Sequence, residues 1–272
     1  MPELPEVETT RRGLLPHVLG VTIINVIVRN PKLRWPVPDD LACLVQQQTI
    51  QALSRRGKYL LMTLANGTIL VHLGMSGSLR ILDSTTPAGV HDHIDIVLQN
   101  GQCIRLRDPR RFGAVLWAEG DVLRHALLTN LGVEPLTDDF NGNYLYVKSR
   151  GRSSAIKSFI MDSHHVVGVG NIYANEALFH AGIHPELAAG KVSRARYMRL
   201  AQSIRDTLEK AIVAGGSTLR DFVGSDGAAG YFQQQYFVYG RTDLTCRGCG
   251  LLIRHLRQNQ RSTFYCAHCQ KK

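Results

Sequence analysis

The sequence predicts an α+β, multidomain protein of 272 residues: an N-terminal β-sandwich with a flanking helix, then a helical segment, then a small metal-binding module. Three observations predict it. Asn66-Gly67 and Asn100-Gly101 interrupt runs of β-branched and alternating apolar residues, which is the pattern of β-hairpins. Beyond Gly132 the apolar spacing changes from a period of two to the helical period. The chain then closes on Cys246-x2-Cys249-x16-Cys266-x2-Cys269, a spacing that suits two knuckles closing tetrahedrally on one zinc ion.

A helix is expected over about 3–15, with Leu4, Val7, Leu14 and Leu15 on its inner side. The run "VTIINVIV" at 21–28 reads as a strand, and 58–82 as a hairpin around Asn66-Gly67. The segment "HIDIVLQNGQCIRLR" reads as a second hairpin, placing Ile94, Ile96 and Leu98 on one face, and "AVLWAEG" adds another strand. Residues 1–132 therefore form the first domain. Cys43 and Cys103 sit alone in apolar patterns and are expected to be buried thiols.

The segments "DVLRHALLTNLG", "SSAIKSFIMD", "NIYANEALFHAG" and "SRARYMRLAQSIRDTLEKAIVAGG" read as helices. Ser193 caps the last of these, and Gly215 lies just past its end. Residues 133–240 make a helical domain that includes a Gly- and aromatic-rich loop at about 217–239, and 241–272 make the zinc ribbon. Four thiolates leave no open coordination position, so the one Zn2+ is expected to be structural.

Net charge is +10 and unevenly placed. Residues 1–132 hold 14 bases against 11 acids, whereas 133–272 hold 18 against 11. The last 32 residues hold seven bases and a single acid, Asp243. A basic balance that coincides with a metal module points to nucleic acid. With acids at 3, 6 and 8 and no apolar core behind them, no signal peptide is expected. Residues 59–79 lack formal charge, but a turn pair and His72 argue for two strands over a membrane span. The expected address is a bacterial-type cytoplasm.

The opening "MPELPEVET" admits two readings. One is a helix start, since proline suits a first turn and acids favour the helix dipole. The other is chemical. Removal of the initiator methionine would leave Pro2 as a secondary amine able to attack a sugar aldehyde carbon and form a cationic iminium. In "VVGVGNIYANEALF" the glycines leave room for an anion to approach a helix start at Asn171, or equally for tight helix packing.

Read together, "PELPEVE", "RRGKYL", "HLGMSGSLRI", "DPRRFG", "GVGNIYANEALF", "YGR" and the terminal cysteines resemble the formamidopyrimidine-DNA glycosylase family. The resemblance covers the whole chain. It implies a helix–two-turns–helix module and a zinc-finger β-hairpin beside the sandwich, with double-stranded DNA containing an oxidised base as partner. It implies Pro2 as nucleophile, Glu3 as general acid, Lys58 as an aid to β-elimination and Arg261 as donor for δ-elimination. Further DNA contacts are implied for His72, His91, Arg152 and Asn171. Met75, Arg110 and Phe112 would fill the void left by an extruded base. By residue type alone, His72, Met75 and Phe112 would be core.

Endonuclease VIII shares this architecture and prefers oxidised pyrimidines, but the complete Met75, Arg110 and Phe112 set favours oxidised purines. A catalytically silent zinc-finger DNA-binding protein is the reading from another class. Intact Pro2, Glu3 and Lys58 argue against it. A monomer without membrane attachment is expected.

Overall fold

The computed structural model describes residues 2–217 and 235–272. They group into two compact units, one running to Thr129 with a return segment from Ala214, the other beginning at Asn130. In the first unit, helix α1 (Leu4–Val18) precedes strand β1 (Thr22–Val28), the short helix α2 (Leu41–Val45) and strand β2 (Gln48–Thr49). Strands β3 (Ala52–Arg56), β4 (Tyr59–Thr63), β5 (Gly67–His72), β6 (Ser78–Asp83), β7 (Asp92–Leu98), β8 (Gln102–Arg107) and β9 (Ala114–Glu119) follow. They form two sheets, ordered β2-β1-β7-β8-β6 and β3-β4-β5-β9. Ile23, Ile94, Ile96, Leu98, Ile104 and Leu106 of the first sheet share one buried core with Leu60, Met62, Ile69, Val71 and Val115 of the second. This is the sandwich that the alternating pattern predicts.

Both Asn-Gly turns join antiparallel neighbours, β4 to β5 and β7 to β8. The 58–82 segment differs from a simple hairpin, because β6 leaves β5 and pairs with β8 in the other sheet. The chain therefore switches sheets three times: between β2 and β3, at 73–77, and again at 108–113, where β8 gives way to β9.

Cys103 is fully buried, but Cys43 is exposed, contrary to expectation. On α2 the buried residues are Leu41 and Val45, four apart on one face, which leaves Cys43 on the outward side.

In the second unit, α3 (Gly142–Ser149), α4 (Ile156–Met161), α5 (Asn171–His180) and α6 (Arg194–Val213) form the helical module. Strands β10 (Arg254–Gln258) and β11 (Arg261–Tyr265) form the ribbon. The expected helix over 121–132 is not formed; a single 3-10 turn spans Val122–Arg124. Asp121 caps this turn by accepting from the Leu123 N–H, but His125 Nδ1 accepts from the Leu127 N–H, a backbone donor that a continuing helix would need. Helix α3 was not anticipated, yet its signal is present: Asn141 caps it by accepting from the Tyr144 N–H. Gly142 lets it press on α6, since a Cβ there would lie 2.5 Å from the Met198 Cα. Helix α6 has Gly215 just beyond it at φ 76°, as expected of a C-terminal glycine.

Most of the 217–239 loop falls outside the described residues. No helix among the described residues is long and apolar enough to cross a membrane.

Candidate active site and nucleic-acid contacts

The first unit carries the predicted reactive groups at the start of α1. Pro2 is buried and immediately precedes Glu3, the N-cap residue. Glu3 and Glu6 form a reciprocal capping box in which the Glu3 N–H donates to Glu6 Oε2 at 2.7 Å. Glu6 Oε1 also accepts from the Ser217 N–H at 2.8 Å and from its hydroxyl at 3.1 Å. Both glutamates are buried, at 2% and 0% exposure, so the carboxyl beside Pro2 sits in a site shaped by hydrogen bonds. An amine at residue 2 would face the positive end of the helix dipole, which disfavours its protonated form.

Lys58 occupies the two-residue corner between β3 and β4, where Gly57 takes the left-handed conformation at φ 57°. Its neighbour Tyr59 pairs across the sheet with His72, and the two rings lie 4.9 Å apart. Burial first, and then the charges of Lys58 and Arg34, lower the His72 pKa to about 4. The Gly74 N–H donates to His72 Nδ1 at 3.0 Å, so the neutral ring carries its proton on Nε2. His72 is thus a neutral hydrogen-bond donor next to a lysine, suited to a phosphate oxygen.

Met75, Arg110 and Phe112 stand on two of the sheet-switching corners, 73–77 and 108–113. Their side chains are exposed, Met75 at 37% and Phe112 at 44%, which excludes the core role their residue types suggest. The Arg110 guanidinium lies 5.2 Å from the Phe112 ring centroid. The corners touch through Gly74, where a Cβ would lie 2.3 Å from the Phe112 carbonyl carbon. His91 sits nearby: its carbonyl accepts from the Asp108 N–H at 3.0 Å, and its ring meets that of His93 edge-on at 6.5 Å.

In the second unit Arg261 begins β11 and is exposed. It follows a two-residue corner in which Asn259 and Gln260 both have positive φ, 46° and 64°, the twist favoured in hairpins. The ribbon is pinned to the helices beside it. Lys157, buried on α4, donates to the Ser262 carbonyl at 2.9 Å and to the Thr263 hydroxyl at 2.7 Å. Asn171 donates to the same carbonyl at 3.0 Å, and Asn175 Oδ1 accepts from the Phe264 N–H at 2.8 Å. The Asn171 Oδ1 has no hydrogen-bond partner among the described residues. A cavity of about 230 Å³ opens beside Lys157, Gln258 and Arg261. Arg152 is exposed on the turn after α3, where its N–H closes onto the Ser149 carbonyl at 3.0 Å.

Sequence reading missed two anchors here. One is Lys157. The other is Glu176, whose carboxylate accepts from the N–H groups of Phe237, Val238 and Tyr239 at 2.8–3.0 Å. Burial pushes the Glu176 pKa up despite those three donors.

Cys246, Cys249, Cys266 and Cys269 place their sulfurs within 4.8 Å of one another. The Cys249–Cys266 and Cys246–Cys269 sulfurs are 3.5 and 3.9 Å apart. A tetrahedral zinc with ~2.3 Å bonds to sulfur requires about 3.8 Å between sulfurs, so this donor set fits one structural Zn2+.

A helix start with a potential amine, a lysine–histidine pair suited to phosphate and a basic zinc ribbon together define a nucleic-acid-processing protein. Comparison with known families narrows the class. The formamidopyrimidine-DNA glycosylase N-terminal domain matches residues 1–115, the H2TH domain of the same glycosylase 131–223, and the zinc finger found in FPG and IleRS 243–272. A formamidopyrimidine-DNA glycosylase of Stutzerimonas stutzeri (strain A1501) is 57% identical over 271 residues, 100% of each chain. The solved complex between Lactococcus lactis Fpg and DNA containing an abasic site has a TM-score of 0.92 at 34% identity, covering 99% of this chain and 100% of that one. A complex of the same Lactococcus protein with N7-benzyl-Fapy-dG containing DNA has a TM-score of 0.92 at 34% identity, covering 100% of each chain. The chain belongs to the formamidopyrimidine-DNA glycosylase family.

Proposed function

We infer that this protein is a bifunctional DNA glycosylase and abasic-site lyase that removes oxidised purines, formamidopyrimidines and 8-oxoguanine, from double-stranded DNA. A bacterial cytoplasm, where the genome lies, is the compartment this activity requires. The first domain, 1–132, carries the reacting groups; 133–240 and the ribbon at 241–272 carry phosphate contacts.

One observation supports the chemistry most directly: Pro2 adjoins the buried, hydrogen-bonded Glu3 at a helix N-terminus. With Met1 removed, the Pro2 nitrogen is a secondary amine. Its lone pair attacks C1′ of the lesion nucleotide, the C1′–N bond breaks, and the base leaves with the proton that the Pro2 nitrogen gives up. The C1′–O4′ bond opens as Glu3 delivers a proton to O4′. The resulting iminium draws electrons from C2′, whose proton leaves as the C3′–O bond breaks. A second elimination then removes the C4′ proton as the C5′–O bond breaks. Lys58 and His72 hold the phosphate beside the first elimination, and Arg261 stabilises the second leaving group. Arg152 and Asn171 add phosphate contacts, and His91 a further contact to the DNA. Met75, Arg110 and Phe112 occupy the stack vacated by the extruded nucleotide, with Arg110 offering donors to the orphaned cytosine. When bound, zinc supplies order to the ribbon and takes no part in these steps.

Borohydride added during turnover should reduce the iminium to a stable protein–DNA adduct, and peptide mapping should place it on Pro2. Robust trapping by a protein with a blocked N-terminus would show that a lysine is the nucleophile.

A further inference from the structure

We propose that Asp108 and Ser76 are positioning residues that set the void-filling side chains of Met75, Arg110 and Phe112 as one unit. The proposal rests on the reading of those three residues given above. Exposed side chains gain no fixed place from burial, so their backbone must supply it. Both corners that carry them switch sheets, and strand pairing therefore cannot satisfy all their polar groups. One buried carboxylate takes up two of them, one on each corner.

Asp108 is fully buried. Its Oδ1 accepts from the Ser76 hydroxyl at 2.8 Å, and its Oδ2 accepts from the Gly113 N–H at 2.7 Å. Ser76 is itself buried, and its oxygen accepts from the Arg110 N–H at 3.3 Å. A carboxylate only accepts, so the serine proton must point to Asp108, and the serine lone pair is left for Arg110. Asp108 thereby grips the corner that bears Met75 with one oxygen and the residue after Phe112 with the other. Its backbone is held as well: its carbonyl bonds to His93 Nε2 at 2.9 Å and accepts from the Arg111 N–H at 3.1 Å.

Arg111, between two of the three working residues, is left-handed at φ 56°. A non-glycine residue holds that conformation only where its surroundings over-determine it. The carboxylate network is that surrounding. It turns Arg110 and Phe112 outward on either side of Arg111, where the guanidinium reaches the ring.

The test compares single-turnover excision of 8-oxoguanine paired with cytosine against nicking of a pre-formed abasic site, which has no stacked base to expel. Asp108→Asn presents a donor to Ser76 and reverses the relay; Ser76→Ala deletes it. Each should slow paired-lesion excision about tenfold, the worth of one buried hydrogen bond, and leave abasic nicking within about twofold. Each should also lower the preference for cytosine over adenine opposite the lesion. Combined with Phe112→Ala, either change should add less than it costs alone, because one of the three positioned side chains is already absent. Equal losses on both substrates, or no loss on either, would overturn the proposal. If Phe112→Ala alone is selective for the paired lesion while Ser76→Ala is not, the reading of the three residues stands and the positioning role falls. Should Phe112→Ala slow both substrates alike, the underlying reading fails and the proposal with it. Thermal melting of each variant identifies any that fail to fold, and Ser76→Ala, which removes one oxygen, serves where Asp108→Asn does not fold.

Discussion

Glu8 Oε2 and Arg55 Nε lie 3.2 Å apart, tying the first helix to the hairpin corner that bears Lys58. Arg55 continues the link by donating to the Gly57 carbonyl at 3.0 Å. Arg11 and Arg12 donate to the same carboxylate at 2.8–3.1 Å. Burial alone would raise the Glu8 pKa, but the hydrogen bonds from Arg11 and Arg12 and the charges of Arg11 and Arg55 lower it to about 2 from an ordinary 4.5.

Glu8→Gln should therefore cost about 1–3 kcal/mol at pH 7, because three guanidinium partners lose a charged acceptor. A depressed carboxylate stabilises the fold above its unfolded pKa and ceases to do so as it is protonated. The difference between the two proteins should thus be full above pH 4.5 and shrink as pH falls towards about 2. Urea melting across that range checks it; a constant difference would contradict the assignment.

His72 should stay neutral throughout the working pH range. Its pKa is lowered to about 4, so the unfolded chain takes up a proton near pH 6.5 that the folded one refuses. Stability from this group is complete above 6.5 and declines as pH falls towards 4. Nitrogen-15 NMR of the imidazole in the free protein should show the proton on Nε2 and no titration between pH 6 and 8.

A neutral His72 adds nothing to the salt dependence of DNA binding. Cations that meet phosphate release counterions, with a slope near −0.9 for each, whereas neutral donors release none. Arg261→Ala or Arg152→Ala should weaken binding and flatten the log–log salt slope by about one unit. His72→Ala and Asn171→Ala should weaken binding with the slope unchanged. Fluorescence anisotropy between 50 and 200 mM salt, roughly the range over which such slopes are read, separates the two outcomes.

Zinc removal should act through the ribbon. Cys249→Ser leaves three thiolates and should lose the metal, measured as zinc per chain by mass spectrometry. DNA binding should fall with it because Arg261 loses its scaffold, while the sandwich keeps its own core and its far-UV signature. Undiminished affinity in a metal-free protein would contradict this.

Signals confined to a few neighbouring residues were legible in the sequence. The cysteine knuckles, the two Asn-Gly hairpins and the capped helix α6 each lie within one such window. Residues 121–132 misled because Val122, Leu123, Leu127 and Leu128 imitate a helical pattern, whereas His125 takes the Leu127 N–H that would continue the helix. Exposure of Met75 and Phe112 could not be read from their apolar character, since it follows from the sheet switches that only the paired strands reveal. Asp108, Lys157 and Glu176 were invisible for a related reason. The partners that define them lie 32, 105 and 61 residues away along the chain.

The contact at Gly74 bears on how these loops can be moved between proteins. With a Cβ there only 2.3 Å from the Phe112 carbonyl carbon, neither corner has room to change without the other. A designer who transplants "DPRRFG" alone into a foreign β-scaffold would carry over its side chains without the surface that shapes them. The smallest graft that keeps its geometry is the pair of corners, 72–78 with 108–114, and it needs a host whose strands cross between sheets at both places.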